Sequence, residues 1–154
     1  MSIKVVLGVI GADCHAVGNR IIERVLSDAG IEVLNLGVMV SQEEFALAAK
    51  SLGADAILVS SLYGHGEIDC QGLRELCDEE GMTNVLLYVG GNLVVGKVSQ
   101  AEVERRFITM GYDRVFAPSV DLADVVSLLE RDVMVRQNAM IGHNSLAAMA
   151  HMAA

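Results

Sequence analysis

Three side chains of different reactivity, a carboxylate, a thiol and an imidazole, stand together at Asp13, Cys14 and His15. They follow the apolar run Val5–Ile10, and a turn at the end of a strand requires only turn-forming residues. A neutral imidazole is a common metal ligand. A carboxylate two residues earlier could accept the other ring N–H and fix the tautomer. The stretch therefore predicts a metal bound by His15, with Asp13 hydrogen-bonded to the ring from behind.

Two more loops of unusual composition follow later apolar runs. One carries two serines and a leucine after Ala56–Val59, and the other carries paired glycines after Val85–Val89. Each feature has an ordinary structural explanation when it is taken alone. Serines at a strand end can bond nearby backbone groups, and paired glycines can form a tight turn. In the first loop, the small thiol of Cys14 can pack as an apolar residue. Only the coincidence of three such loops at one edge favours a binding site. The residues concerned are Ser60, Ser61, Leu62, Gly90 and Gly91.

The elements that would position these loops alternate between buried strands and amphipathic helices. The predicted strands are Ile3–Ile10, Ile31–Leu36, Ala56–Val59, Val85–Val89 and Arg114–Ala117. The predicted helices are Val17–Ala29, one from Ser41 to about Ser51, one within Glu67–Glu80, Gln100–Met110 and Leu122–Val135. Apolar runs without alternation are typical of parallel strands covered on both faces. We therefore predict an α/β fold, a doubly wound five-stranded parallel sheet of flavodoxin-like order 2-1-3-4-5.

Residues 1–136 are expected to form this domain, and residues 137–154 a C-terminal tail that is a frayed helix or disordered. Within the third helix, Cys70 and Cys77 are seven residues apart, which predicts two buried thiols on one helical face.

The predicted topology brings the three loops together at the carboxyl edge of the sheet. Ligands bind there at the point where the strand order reverses, here between the first and third strands. Zinc normally takes three or four protein ligands. His15 alone therefore suffices only for a metal that brings its own equatorial ligands, as the metal of a corrin does. Small residues in the other two loops would leave space for a slender part of the ligand.

These motifs resemble those of a known family. Asp13 to Gly18 matches the D-x-H-x-x-G signature of cobalamin-binding domains, and Ser60–Leu62 and the paired glycines match their S-x-L and G-G elements. From Ile3 to about Glu130 the chain resembles the small, cobalamin-binding subunits of glutamate mutase. His65 stands where the resemblance leads us to expect glutamine in a YGQGE stretch.

The resemblance implies a role for each matched residue. His15 would replace dimethylbenzimidazole as the lower axial ligand of cobalt in adenosylcobalamin, and the displaced nucleotide tail would enter a pocket beside the sheet. The implied cofactor-binding residues are Ala12, Asp13, Cys14, His15, Ala16, Gly18, Ser60, Ser61, Leu62, Gly90, Gly91, Asn92, Leu93, Val94, Val95 and Gly96. The implied reaction interconverts L-glutamate and threo-3-methylaspartate through an adenosyl radical formed by cobalt–carbon homolysis.

A partner is also implied, because a small domain that buries the lower face of a cofactor leaves the upper face open, and radical chemistry requires the exclusion of water. In the family the partner is a larger barrel subunit. The resemblance also implies an assembly of two small and two large subunits. The arginines of this chain are scattered rather than clustered for a dicarboxylate. The chain is thus expected to carry the cofactor and to hold no catalytic residue of its own.

Composition excludes several other classes. The net charge of −9 and an aromatic content of 4% argue against nucleic-acid binding, which needs a basic footprint and stacking platforms. No apolar run approaches the roughly 18 residues of a membrane span, and the N-terminus lacks a signal-peptide layout. We therefore expect a cytoplasmic protein with no membrane partner. Three cysteines are then expected to be reduced.

Four alternative functions fit the sequence less well. A corrinoid carrier for methyl transfer usually has a helical cap before the first strand, for which this chain shows no room. A cobalamin-dependent regulatory module would need an output domain. An FMN protein would need a Ser/Thr-rich phosphate loop and aromatic residues for the flavin. A zinc site built from Cys14, His15, His65 and Cys70 matches no structural zinc spacing.

Overall fold

The computed structural model describes residues 2–153, without the side chains of residues 143–145, 147, 148 and 151–153. The strands are β1 Lys4–Val9, β2 Glu32–Asn35, β3 Ala56–Ser60, β4 Leu86–Gly90 and β5 Arg114–Phe116. The helices are α1 Ala16–Asp28, α2 Gln42–Leu52, α3 Gly66–Cys70, α4 Leu73–Glu79, α5 Gln100–Thr109 and α6 Leu122–Ala153. All strand pairs are parallel and the order is β2-β1-β3-β4-β5, which confirms the predicted sheet.

The sheet is covered on both faces, as its unbroken apolar strands require. Every residue of β3 is buried. On one face the core contains Phe45 from α2 and Phe107 from α5. On the other face it contains Leu26 from α1 and Leu129 from α6. Helices α2 to α5 therefore cover one side of the sheet, and α1 and α6 cover the other. Within residues 2–153, no helix is both long and apolar enough to span a membrane.

The single helix predicted within Glu67–Glu80 is wrong, because the structure has two short helices there. Gln71 is extended and Gly72 has a φ of 102°, a conformation that glycine adopts readily. The side-chain amide of Gln42 donates to the carbonyl oxygens of Asp69 and Gln71, at 2.7 Å each, so the carbonyls around the break are satisfied. Cys70 and Cys77 consequently lie on different helices, although both are fully buried as predicted.

Helix α6 extends well past the predicted end of the last helix. The stretch predicted as a frayed or disordered tail is helical as far as Ala153. Near its start, α6 is held to the sheet by Val125, Leu129 and Val133, all in the core. The division of the chain at residue 136 remains a prediction.

A partly buried polar contact also anchors α6. Both carboxylate oxygens of Asp132 accept hydrogen bonds from the Arg114 guanidinium, at 2.5 and 2.9 Å, and the Tyr88 hydroxyl donates to the same carboxylate. The hydrogen bonds from Arg114 hold the pKa of Asp132 below its ordinary value of 3.8, against the effect of burial. A carboxyl whose pKa is lowered by folding stabilises the fold above its unfolded pKa and loses this contribution as the pH falls through the folded pKa.

We therefore expect Asp132→Asn to lower the free energy of unfolding at pH 7 by about 1.5–3 kcal/mol, the usual range for a hydrogen bond to a charged group. The difference in unfolding free energy between the variant and the wild type should shrink as the pH falls below 3.8, the ordinary pKa of an aspartate. At such a pH the wild-type carboxylate is itself being protonated. Urea unfolding at pH 7 and at acid pH measures both effects.

The matched control is Asp28→Asn, which breaks the exposed pair with Arg24 on α1. An exposed ion pair contributes about 0–1 kcal/mol, so this variant should unfold almost as the wild type does. An equal loss in the two variants would contradict the anchoring of α6 by Asp132.

Candidate functional site

The carboxylate of Asp13 connects the loop after β1 to the loop after β3. Oδ1 accepts from the His15 ring Nδ1 at 2.5 Å and from the His15 backbone N–H at 3.0 Å. Oδ2 accepts from the backbone N–H of Leu62 at 2.6 Å. Because Nδ1 carries the shared hydrogen, the lone pair of a neutral His15 ring lies on Nε2, on the far side from Asp13. The predicted pairing of these two residues is what the structure contains.

Asp13 is ionised in this setting. It is only 1% exposed, and burial alone would raise its pKa. The hydrogen bonds from Leu62 and from the His15 ring and backbone more than offset burial, so the pKa lies below the ordinary value. A buried carboxylate that is charged and fully bonded gives the imidazole a fixed orientation and raises its basicity as a ligand.

The loop that carries His15 is also held from the other side. The Tyr63 hydroxyl donates to the Asp69 carboxylate at 2.6 Å and accepts from the backbone N–H of Ala12 at 3.3 Å. The Asp69 hydrogen bond raises the pKa of Tyr63, so this hydroxyl keeps its proton. Gly11 has a φ of 76°, and a Cβ there would lie 2.3 Å from Asp69 Oδ2. Tyr63 and Asp69 therefore position the loop, and sequence reasoning missed both.

His15 precedes the first residue of α1 and its side chain is 59% exposed. Ala12, Cys14 and Ala16 are exposed around it. Gly18 lies one turn further along α1, where a Cβ would approach the Leu62 side chain to 4.0 Å. The predicted residues of the first loop are thus gathered at the carboxyl edge of β1.

A cavity of about 260 Å³ extends from His15 along α1 to the start of α6. It lies on the face of the sheet that α1 and α6 cover. Its lining is mostly apolar, with a few polar side chains, which is the usual character of a small-molecule site. The residues of its wall are Leu7, His15, Gly18, Asn19, Ile21, Ile22, Leu58, Val59, Ser60, Leu62, Tyr88, Val89, Gly90, Gly91, Phe116, Ala117, Pro118, Val120, Leu122 and Val125.

Two adjacent glycines form part of this wall. A Cβ on Gly90 would lie 3.4 Å from the Cβ of Phe116, which is an ordinary contact distance. Gly91 has a φ of 114°, and a Cβ there would lie 2.3 Å from the backbone oxygen of Ser61. No larger residue fits at Gly91 without moving the backbone after β3. The second glycine of the G-G element is therefore required by a close approach of two chain segments.

The two serines differ in their surroundings. Ser60 ends β3 and lines the cavity. Ser61 is fully buried, its Oγ has no hydrogen-bond partner among the described residues, and its backbone N–H donates to the Gly90 oxygen at 3.1 Å. Ser61 thus connects the β3 and β4 loops but does not line the cavity.

The stretch from Asn92 to Gly96 lies beside the cavity rather than in its wall. Gly64 donates to the Asn92 oxygen at 3.0 Å, and Val94 forms an antiparallel bridge with His65. Leu93 is buried, whereas Val95 is 72% exposed. This segment covers the loop after β3 and presents Val95 at the same edge as His15.

His65, the departure from the expected glutamine, is exposed, and its ring lies 4.7 Å from that of Tyr63. It does not line the cavity. The alternative zinc site would need both Cys14 and Cys70. Cys14 is exposed, whereas Cys70 is buried in the core on the face of the sheet that α2 to α5 cover.

Several residues of the wall were not found from the sequence. Asn19 resembles any polar residue in a helix, and its burial depends on the packing of α1. Phe116 ends β5, the weakest of the predicted strands, and Ala117 and Pro118 follow it. A proline directly after a strand is a signal that could have marked this loop.

The donor set fits a corrin. It offers one imidazole with a fixed tautomer, its Nε2 directed away from Asp13, beside a mostly apolar cavity with glycines in its wall. A metal that already has four equatorial ligands needs one such donor from the protein. The cavity lies next to that donor, where the displaced tail of the same cofactor would have to go.

Comparison with known proteins agrees with this geometry. Residues 3–125 match the family described as the B12 binding domain. The chain is 61% identical over 133 residues to the glutamate mutase sigma subunit of Escherichia coli O157:H7, covering 86% of this chain and 89% of that protein. It is 60% identical over 131 residues to the glutamate mutase sigma subunit of Carboxydothermus hydrogenoformans, covering 85% of this chain and 96% of that protein.

Among solved structures, a cobalamin-binding protein from Desulfitobacterium hafniense superposes with a TM-score of 0.70 at 21% identity. The match covers 85% of this chain and 59% of that one, so this chain spans about three fifths of its length. At this identity the likeness shows the fold.

The close approach at Gly91 generates a test. We expect Gly91→Ala to lower the free energy of unfolding by about 2–5 kcal/mol, because a positive φ costs about 1–2 kcal/mol for an L-residue and the clash with the Ser61 carbonyl adds to it. Urea unfolding of the purified variant measures the loss.

Gly81→Ala is the control. Gly81 has a φ of 83°, but nothing lies within 4 Å of its would-be Cβ. It should therefore lose only the conformational cost of about 1–2 kcal/mol. Equal losses at the two positions would show that the β3 and β4 loops do not approach as closely as described.

Proposed function

This chain belongs to the glutamate mutase sigma subunits, a family with a B12-binding domain, and from that premise we propose that His15 Nε2 is the lower axial ligand of its cobalamin. The observation that carries this proposal is the hydrogen bond between Asp13 and the His15 ring. It leaves one nitrogen of an exposed imidazole free to bind a metal. Asp13 would remain behind the ring and would not touch the cobalt.

We propose that the cavity between α1 and the loops after β3, β4 and β5 receives the nucleotide tail of the cofactor. Gly18, Gly90 and Gly91 form part of its wall, and Ser60 and Leu62 line it as well. The exposed residues Ala12, Cys14 and Ala16, together with the segment 92–96, would face the corrin at the edge of the sheet. His65 would lie beside that contact rather than in the tail cavity.

The bound form is proposed to be adenosylcobalamin, which supplies a radical when its cobalt–carbon bond breaks homolytically. The residues of this chain bind and orient the cofactor. Asp13 holds the proton on Nδ1 of His15, so that the opposite nitrogen stays available. Tyr63 and Asp69 hold the loop in place.

The substrate site is proposed to lie on a large, barrel-type catalytic subunit, in an assembly of two small and two large subunits in the cytoplasm. A radical reaction needs water excluded from the open face of the cofactor. Six of the eight arginines of this chain also have other partners. Those paired with carboxylates of the chain itself are Arg24, Arg74, Arg105, Arg106, Arg114 and Arg136. This supports a dicarboxylate site on the partner.

Electron paramagnetic resonance tests the axial ligand. In the cob(II)alamin complex of protein labelled with nitrogen-15 histidine, we expect the superhyperfine splitting to change from triplets to doublets, because a histidine nitrogen lies on cobalt. His15→Gly should lose this label dependence and bind cobalamin at least tenfold more weakly, corresponding to a loss of about 1.4 kcal/mol or more.

His65→Gln is the matched control, since it changes a nearby exposed histidine and should retain the doublets. Label-independent splitting in the wild type would mean that histidine is not the ligand, and the axial assignment would then be withdrawn.

The division of labour with a partner is tested by activity. With adenosylcobalamin and L-glutamate, the purified chain should form no threo-3-methylaspartate, because the residues around His15 are exposed and would leave the upper face of the cofactor open to water. Addition of the large subunit of a glutamate mutase should start turnover, measured by appearance of 3-methylaspartate. Glutamate consumption by the chain alone would contradict the proposed carrier role.

A further inference from the structure

One polar side chain in the cavity wall is buried with a free acceptor. Asn19, on α1, is 3% exposed, and its Oδ1 has no hydrogen-bond partner among the described residues. Leaving a buried amide oxygen without a partner is unfavourable, and such groups in native proteins call for an explanation. The residue lines the cavity that begins at His15.

The orientation of this amide is set by its neighbours. The Oδ1 of Asn35 accepts from the backbone N–H of Gly37 at 2.9 Å, and a backbone N–H can only donate. The Nδ2 of Asn35 donates to the Glu23 carboxylate, which can only accept when ionised. The Asn35 amide therefore has one possible orientation, with its oxygen toward Asn19.

The orientation of Asn35 determines that of Asn19. Since the Asn35 oxygen faces it, Asn19 must turn its Nδ2 toward Asn35, and this hydrogen bond is 2.7 Å long. The oxygen of Asn19 is then its free end. A flipped amide would place two oxygens against each other, so the free end of Asn19 is an acceptor and not a donor.

We propose that Asn19 Oδ1 accepts a hydrogen bond from a ribose hydroxyl of the cofactor's nucleotide tail. This inference rests on the proposed function and adds a binding residue to it. A displaced benzimidazole nitrogen and the phosphate oxygens are acceptors, which cannot pair with a carbonyl oxygen. The ribose hydroxyls are donors. His15 directly precedes α1, Asn19 lies in the first turn of that helix, and both residues line the same cavity.

The test compares corrinoids with and without the tail. We expect Asn19→Leu, which keeps the branch at Cγ and has no polar atoms, to bind adenosylcobalamin about tenfold more weakly than the wild type, as expected for the loss of one buried hydrogen bond. Binding of adenosylcobinamide, which has no nucleotide, should be unchanged. Calorimetric titration measures both affinities, and urea unfolding shows that the variant is folded.

A second measurement follows binding to the wild-type protein itself, by nuclear magnetic resonance. Wild-type protein labelled with carbon-13 at the asparagine side-chain carbonyls is titrated with α-ribazole, the isolated nucleoside, and with dimethylbenzimidazole, which lacks the ribose. The Asn19 resonance, assigned by its absence from Asn19→Leu, should shift with α-ribazole only. A shift with neither compound would overturn the proposal, as would an equal shift with both.

The affinities separate this inference from the function on which it rests. Equal weakening of cobalamin and cobinamide binding in Asn19→Leu would show that Asn19 has a structural role. Unchanged binding of both would show that Asn19 does not contact the tail. Either result overturns the inference and leaves the proposed function standing. If wild-type protein bound neither corrinoid, the proposed function itself would fail.

Discussion

The arrangement of the candidate site depends on one buried carboxylate that accepts three hydrogen bonds. Asp13 receives the His15 ring, the His15 backbone N–H and the Leu62 backbone N–H. Its charge is stable at 1% exposure because these donors together outweigh the cost of burial. The same contacts fix the tautomer of the imidazole and join two loops. The orientation of the His15 ring and the packing of the two loops therefore depend on the same carboxylate. A change at Asp13 would affect both.

The strand order makes this constraint possible. β1 and β3 are adjacent and parallel, with Val9 opposite Ser60, so the loops that follow them leave the sheet at the same height. The chain turns away from this point in opposite directions, toward β2 on one side and β4 on the other. A carboxylate four residues after β1 can thus reach a backbone N–H two residues after β3. The crevice left between the diverging connections contains the cavity.

Strands, sheet order and the three loop motifs could be predicted from the sequence, because unbroken apolar runs and the D-x-H-x-x-G spacing are local patterns. The break at Gly72 could not, because the helical periodicity on either side of it is intact and the carbonyls around the break are satisfied by Gln42, a residue distant in sequence. Tyr63, Asp69 and Asn19 were missed for the same reason. Their roles come from partners that only the fold brings near.

Helix α1 connects the two ends of the site. Its first turn follows directly from His15, whose position Asp13 determines, and Asn19 lies one turn later on the cavity side. A rotation of α1 about its axis would move the imidazole and the amide together. The hydrogen bonds of Asn19 to Asn35 and of Asn35 to Glu23 and Gly37 oppose such a rotation. The proposed metal-binding end and the proposed tail-binding end are therefore held at a fixed separation by one helix that is fixed at both points.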